Sequence, residues 1–246
     1  MYKLSDRQLE DIHVKLLELL HAFKVICDKE NIWYTLAFGT VLGAVRHKGF
    51  IPWDSDADVC IKLEDVEKFR SAFNKHKPEG IALLDHDREN RNTKSHDILC
   101  FEEKQFFSDL HLDVYPLVGA PNDLKKQKSV WKRNFFVDRF FRSKYVNLAD
   151  CLEENRKKVF FVKLIDKLIP DSFIKSNIKK RELEFPVESS DYLTCLAAPY
   201  LPVPKKSWET ITSVPFENTE FNVPGNWDLY LKSLYGDYMT PRKYLL

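Results

Sequence analysis

The sequence predicts an α/β fold, and three observations carry that prediction. Apolar residues recur at helical spacing over 5–29. The stretches 32–37, 59–63 and 110–117 are short, apolar and rich in β-formers. The two kinds of segment alternate along the chain. With 246 residues and 44% hydrophobic content, the chain can bury a full core in one large unit. The expected organisation is a core over about 30–120, a basic helical region over about 123–184 and a loop-rich C-terminal extension over 185–246, all one domain spanning 1–246.

The first helix is expected from about 5 to 29, with Leu9, Ile12, Leu16, Leu17, Leu20, Phe23 and Cys27 on one face. Ser5 and Gln8 have the spacing of a capping box. Residues 32–37 read as a strand that runs into Gly39-Thr40. That stretch is either a plain turn or a cradle for phosphate, because glycine allows positive φ and leaves backbone N–H groups open to an anion. A short helix over Val41 to Arg46 would aim its N-terminus at the same place. The stretch 37–58 holds three of the seven glycines and sets Arg46-His47-Lys48 just before Asp54, Asp56 and Asp58.

Those three acids alternate with Ser55 and Ala57, so in extended chain they share one face. Like charges so placed repel unless a cation neutralises them. The alternatives are a solvated acidic loop and a site for Mg²⁺ or Mn²⁺, the cations that suit hard carboxylate oxygens. Val59 to Leu63 continues as an apolar strand, which would hold the acids rigidly.

A helix is expected over 64–80 with Val66, Phe69 and Phe73 on one face, then strands within 81–108 around a polar turn. In that turn Arg88, Arg91 and Lys94 are candidates for phosphate contact or for plain solvation. Residues 110–117 alternate as a half-buried strand that presents Asp113. From Lys125 to Arg181 there are 17 Lys or Arg against 6 Asp or Glu, a net of +11 in a chain whose total is +1. Trp131, Phe135, Phe136, Phe140, Phe141, Tyr145, Phe160, Phe161 and Phe173 interleave with these cations. This composition suits either helices with a solvated basic face or a surface for a membrane leaflet, a lipid-linked phosphate or a charged glycan. No nucleic-acid motif accompanies the charge. Short strands are expected near 200–204 and 216–223, and a last helix from Trp227 to Tyr235, stopped at Gly236.

Five cysteines without a Cys-x-x-Cys pair argue against a disulfide framework or structural zinc. With no apolar leader and no run of about 20 apolar residues, the expected location is cytoplasmic, with room for peripheral contact at the inner membrane face.

The run Gly39-Thr40-x-Leu42-Gly43-Ala44-x-Arg46-His47-x-Gly49-Phe50-Ile51-Pro52-Trp53-Asp54-x-Asp56-x-Asp58 resembles the signature of the LicD-type phosphocholine transferases, which are related to the fukutin-type ribitol-phosphate transferases. Leu112-Asp113-Val114-Tyr115-Pro116-Leu117 and Tyr235-Gly236-Asp237-Tyr238-Met239-x-Pro241 also resemble that family. Two positions depart from its pattern. Phe38 replaces a small residue, and Ser55 replaces the middle aspartate, on the face away from the other acids.

The resemblance implies a nucleotidyltransferase-like mixed sheet flanked by helices. It also implies a metal-dependent transferase that moves phosphocholine from CDP-choline, or a like group from another CDP-alcohol, to a hydroxyl of a glycan or lipid-linked glycan, releasing CMP. Lipopolysaccharide, teichoic acid or capsule are the implied acceptors. Asp54, Asp56, Asp58 and Asp113 would be the metal carboxylates, with Asp54 either a ligand or just behind them. Asp56, Asp58 and Asp113 would be the catalytic acids, Asp113 completing the metal shell or acting as base. Gly39 and Thr40 would position phosphates, and Arg46, His47 or Lys48 would stabilise departing CMP. Ribitol or glycerol phosphate as the transferred group, nucleotide transfer to a protein or small molecule, and a non-catalytic binding protein on the same fold are the alternatives. Choline itself would need aromatic faces, for which Trp53, Tyr34 and Tyr115 stand near in sequence.

Overall fold

A computed structural model describes residues 4–85, 96–102, 110–145, 160, 170–196 and 201–241. Seven strands pair into one mixed sheet in the order β1 (Tyr34–Leu36), β2 (Ala57–Lys62), β5 (His111–Ala120), β4 (Asp97–Phe101), β3 (Ile81–Leu84), with β6 (Tyr192–Cys195) on β5 and β7 (Val203–Pro204) on β6. Among the described strands only β2 and β5 are parallel, with Asp58 opposite Asp113 and Lys62 opposite Leu117. β5 is the axis of the sheet. On its other edge it pairs β4 through His111 to Val114, then β6 through Leu117 to Ala120. The C-terminal region therefore builds part of the main sheet.

The expectation of a half-buried β5 needs correction. From Leu112 to Ala120 every residue is buried, because β5 lies at the centre of the sheet with helices packed against it. The polar positions in its sequence are site residues, not a solvent face.

Helix α1 (Asp6–Lys29) starts at the expected capping box, with the Ser5 hydroxyl receiving the Gln8 amide and Gln8 returning a bond to the Ser5 amide. Its buried face is shifted slightly from the expected one: Leu19 and Ile26 are sealed in the core, and Leu17 is only half-buried. Phe23 meets Tyr34 of β1 edge-on at 5.3 Å and Phe69 of α3 (Val66–His76) at 5.2 Å. α2 (Phe38–His47) follows β1 directly. The strands β8 (Ile211–Phe216) and β9 (Thr219–Pro224) form a separate hairpin, and α6 (Trp227–Tyr235) ends at Gly236 with φ 65°, as its sequence predicts. Two helices of the basic region are described: α4 (Leu124–Tyr145), whose first turn is capped by Asp123 Oδ1 accepting the Lys126 amide at 2.7 Å, and α5 (Asp171–Glu182). The turn that carries Arg88, Arg91 and Lys94 lies outside the described residues.

One buried ionic contact was not legible in the sequence. Arg70 of α3, 2% exposed, grips Asp97 at the start of β4 with two bonds of 2.8 Å and also meets Asp85 at 3.2 Å. Removing one partner of such a buried pair strands the other charge. Arg70→Ala is therefore expected to lower unfolding free energy by about 3–5 kcal/mol, measured as a shifted urea midpoint with unchanged slope.

Candidate active site

The site forms where β2 begins beside β5. Parallel strands in register point paired side chains to the same face, so Asp58 and Asp113 emerge together. Both are buried, at 8% and 5% exposure. Asp113 is held by three neighbours. His96 Nε2 donates to its Oδ1 at 2.8 Å, His111 Nε2 stands 3.3 Å from the same oxygen, and the Tyr115 hydroxyl donates to Oδ2 at 3.3 Å. Burial, helped by the Asp113 and Asp58 charges, raises the Tyr115 phenol well above its usual value and keeps it a donor.

Asp54 and Asp56 lie on the loop before β2. Strict alternation starts only at Ala57, since a turn with the Asp54 amide on the Ile51 carbonyl (2.9 Å) precedes it. The Asp54 and Asp56 carboxyls nonetheless interact: burial, then the neighbouring Asp56 carboxyl, pushes Asp54 up to about 7. The acids thus stand as two neighbouring pairs. The Tyr235 hydroxyl senses Asp58, Asp54 and Asp56 together, and its own pKa is raised by burial and then by those charges. That hydroxyl is buried and has no hydrogen-bond partner among the described residues.

α2 begins at Phe38, earlier than expected, and so the glycine stretch is its first turn. The positive φ falls on Phe38 (42°), not on Gly39. The Phe38 amide is held by the Tyr230 hydroxyl at 2.8 Å, and its ring meets Tyr115 edge-on at 5.5 Å. Gly39 serves by lacking a side chain: a Cβ there would sit 3.0 Å from Asp54 Oδ2. Ala37 caps the helix without a side-chain hydrogen bond, and with the Phe38 and Thr40 amides already bonded, the Gly39 amide is left to an anion. The Thr40 hydroxyl accepts the Asp58 amide at 2.9 Å, and the Asp58 carbonyl accepts the Ala37 amide at 2.9 Å, so α2 and β2 are stitched together at the acids.

The basic triplet sits at the other end of α2, roughly 10–13 Å along its axis. Arg46 donates to the Tyr238 carbonyl at 2.6 Å. Burial, then the Arg46 charge, lowers the His47 imidazole from its usual value, which favours its neutral form. Lys48 is exposed and takes the left-handed cap position with φ 63°. The three aromatics do not converge. Tyr34 is sealed in the core, Tyr115 serves Asp113, and Trp53 stands at the surface edge-on to His47.

Several positioning residues escaped sequence reasoning. His13 of α1 donates to the Asp54 carbonyl at 2.7 Å and stacks on Phe50 at 4.5 Å. Glu217, at the β8–β9 turn, accepts the Phe50 amide at 3.0 Å, and its carboxylate occupies the space a Cβ on Gly49 would need. His96 and His111 flank Asp113. Their lone positions carry no periodic signal, and nothing short of the strand pairing would have found them.

Four carboxylates, with Asp54 driven up by burial and then by Asp56, offer the hard oxygens that suit a divalent cation. Among the described residues no group of three or more His, Cys, Asp or Glu side chains stands arranged to hold a metal ion.

Residues 31–152 match the family model described as LicD/FKTN/FKRP, nucleotidyltransferase domain. The chain is 26% identical over 252 residues to lipopolysaccharide cholinephosphotransferase LicD of Haemophilus influenzae, covering 97% of this chain and 93% of that protein. Over 50 residues it is 44% identical to the ribitol 5-phosphate transferase FKRP of Homo sapiens, covering 19% of this chain and 10% of that protein. Among solved structures, the antibiotic-resistance factor ANT(2'')-Ia aligns at 11% identity over 69% of this chain and 94% of its own, at a TM-score of 0.31, too low to bear on the fold.

The Asp54 shift sets a pH dependence. Folded protein keeps that proton up to about 7, whereas the unfolded chain releases it near 3.8. Between these values the folded state binds more protons, so the stability this group supplies is full below the lower value and is lost as pH rises through the upper. Without divalent cations, the wild type should melt lower at about pH 8 than at about pH 5 relative to Asp54→Asn, whose profile should be flatter. Paired thermal melts measure the difference.

Proposed function

Because residues 31–152 match the LicD/FKTN/FKRP nucleotidyltransferase-domain model, we propose that the chain transfers phosphocholine from CDP-choline to a hydroxyl of a glycan or lipid-linked glycan, with release of CMP. The observation that supports this most is the in-register pairing of Asp58 with Asp113 beside the Asp54–Asp56 pair, at the open N-terminus of α2. The similarity to the Haemophilus cholinephosphotransferase along nearly the whole chain points the same way.

Asp54, Asp56 and Asp58 would hold Mg²⁺ or Mn²⁺, with Asp113 beside them. Such an ion supplies neutralising charge for the donor phosphates. The remaining work belongs to this chain's own groups. The Gly39 amide, beside the Phe38 and Thr40 amides that are already bonded to the Tyr230 hydroxyl and the Ala37 carbonyl, favours a phosphate oxygen. Thr40 acts through its bond to the Asp58 amide, which keeps β2 and α2 in place. Lys48 and the tethered Arg46 leave positive field for CMP, while neutral His47 contributes shape. Asp113, braced by His96, His111 and Tyr115, takes the acceptor hydroxyl's proton as its oxygen bonds to phosphorus and CMP departs.

A second reading, ribitol phosphate as the transferred group, is favoured by the 44% identity over 50 residues to the ribitol 5-phosphate transferase. Incubation with Mg²⁺, acceptor glycan and CDP-choline, CDP-ribitol or CDP-glycerol in parallel separates the two by which donor yields CMP. Asp56→Asn and Asp58→Asn are each expected to lower CMP release about 100-fold or more. Mg²⁺ should raise the melting temperature of the wild type above about pH 7 but not that of the double variant. Full activity in either variant sinks the carboxylate assignment. Failure of every CDP-alcohol sinks the transferase reading.

A further inference from the structure

The exposed side of α4 takes no part in the proposed chemistry, and its residues are sorted by chemistry around the helix. At 100° per residue, Leu124, Lys128, Trp131 and Phe135 fall within an arc of about 60°. Three of these four are large apolar side chains in solvent: Leu124 is 62% exposed, and Trp131 and Phe135 are each 38% exposed. The Trp131 and Phe135 rings stack on each other at 5.7 Å with an interplanar angle of 21°. The face that does anchor the helix carries Val130 and Asn134, at 5% and 2% exposure, roughly a quarter turn away.

The cations around α4 divide the same way. On the anchored side, Arg133 binds Glu184 at 2.9 Å and Lys126 lies 5.1 Å from the Phe185 ring centre. On the far side of the apolar ridge, Lys125, Lys128 and Lys132 are exposed and form no ion pair with any described residue. A ridge of Leu, Trp and Phe flanked by lysines asks for two things from a partner: apolar depth for the rings and negative charge beside it. A soluble acidic glycan offers only the charge, and an apolar protein groove only the depth. The headgroup region of an anionic bilayer offers both, and indole and phenyl rings partition there readily.

We propose that α4 docks the protein on an anionic lipid surface, lying in its plane with Leu124, Trp131 and Phe135 among the acyl-chain ends and Lys125, Lys128 and Lys132 at the lipid phosphates. No helix among the described residues is long and apolar enough to cross a membrane, so contact through α4 would be one-sided. The proposal is independent of which alcohol the site transfers, and its test uses no transferase activity.

The full chain is spun with phosphatidylcholine vesicles with and without phosphatidylglycerol, at low and high salt. Binding is expected only with phosphatidylglycerol, and to weaken with salt. Lys125→Gln/Lys128→Gln/Lys132→Gln should lower the partition coefficient about 100-fold, at about fivefold per lysine. Trp131→Ser/Phe135→Ser should abolish the salt-resistant part. Both sets of positions are exposed, and thermal melts matching the wild type confirm that each variant is folded; either one that folds decides the matter. Failure of the folded wild type to bind phosphatidylglycerol vesicles overturns the proposal. So does binding unchanged in a folded variant, or loss with the lysine variant but not with the aromatic one, which would assign the face to a soluble polyanion.

Discussion

The parallel pairing of β2 with β5 is the constraint on which the site depends. It sets Asp58 opposite Asp113, two carboxylates separated in sequence by a helix and two strands. On the loop beside them, Asp54 is itself disfavoured as a charge, by its burial and then by Asp56. The fold tolerates that strain because the backbone around it is bound twice over: the Asp58 amide to the Thr40 hydroxyl and the Asp58 carbonyl to the Ala37 amide. The proposed divalent cation would relieve the repulsion among these acids.

A second layer of support comes from the far end of the chain. Tyr230 holds the Phe38 amide, the Tyr238 carbonyl holds Arg46, and Glu217 holds the Phe50 amide, so α6 and the β8–β9 hairpin brace α2 at both ends and the loop behind it. From the other side, His13 of α1 fixes the Asp54 carbonyl. Phe38, which departs from the family's pattern, has a local account: its ring packs on Tyr115, whose hydroxyl steadies Asp113. The Tyr235 hydroxyl, buried beside the acids without a partner among the described residues, marks where this C-terminal brace meets the site.

The sequence by itself determined the helices and strands whose patterns are local. The Ser5–Gln8 capping box, the stop of α6 at Gly236 and the acids running into β2 are set by neighbours a few residues apart, and the structure repeats them. It also carried the resemblance to the LicD-type transferases, since a long motif is itself a local pattern, and residues 31–152 match that family's model. Tertiary structure alone decided the rest, because it depends on pairing between distant segments. Burial of β5 follows from its central place in the sheet and the helices packed against it, and alternating residues could not reveal that. His13, His96, His111 and Glu217 join the site through contacts with no sequence period. Positive φ fell on Phe38 and not on Gly39 because a distant tyrosine holds that amide, while Gly39 is required by the carboxylate that folding brings against it.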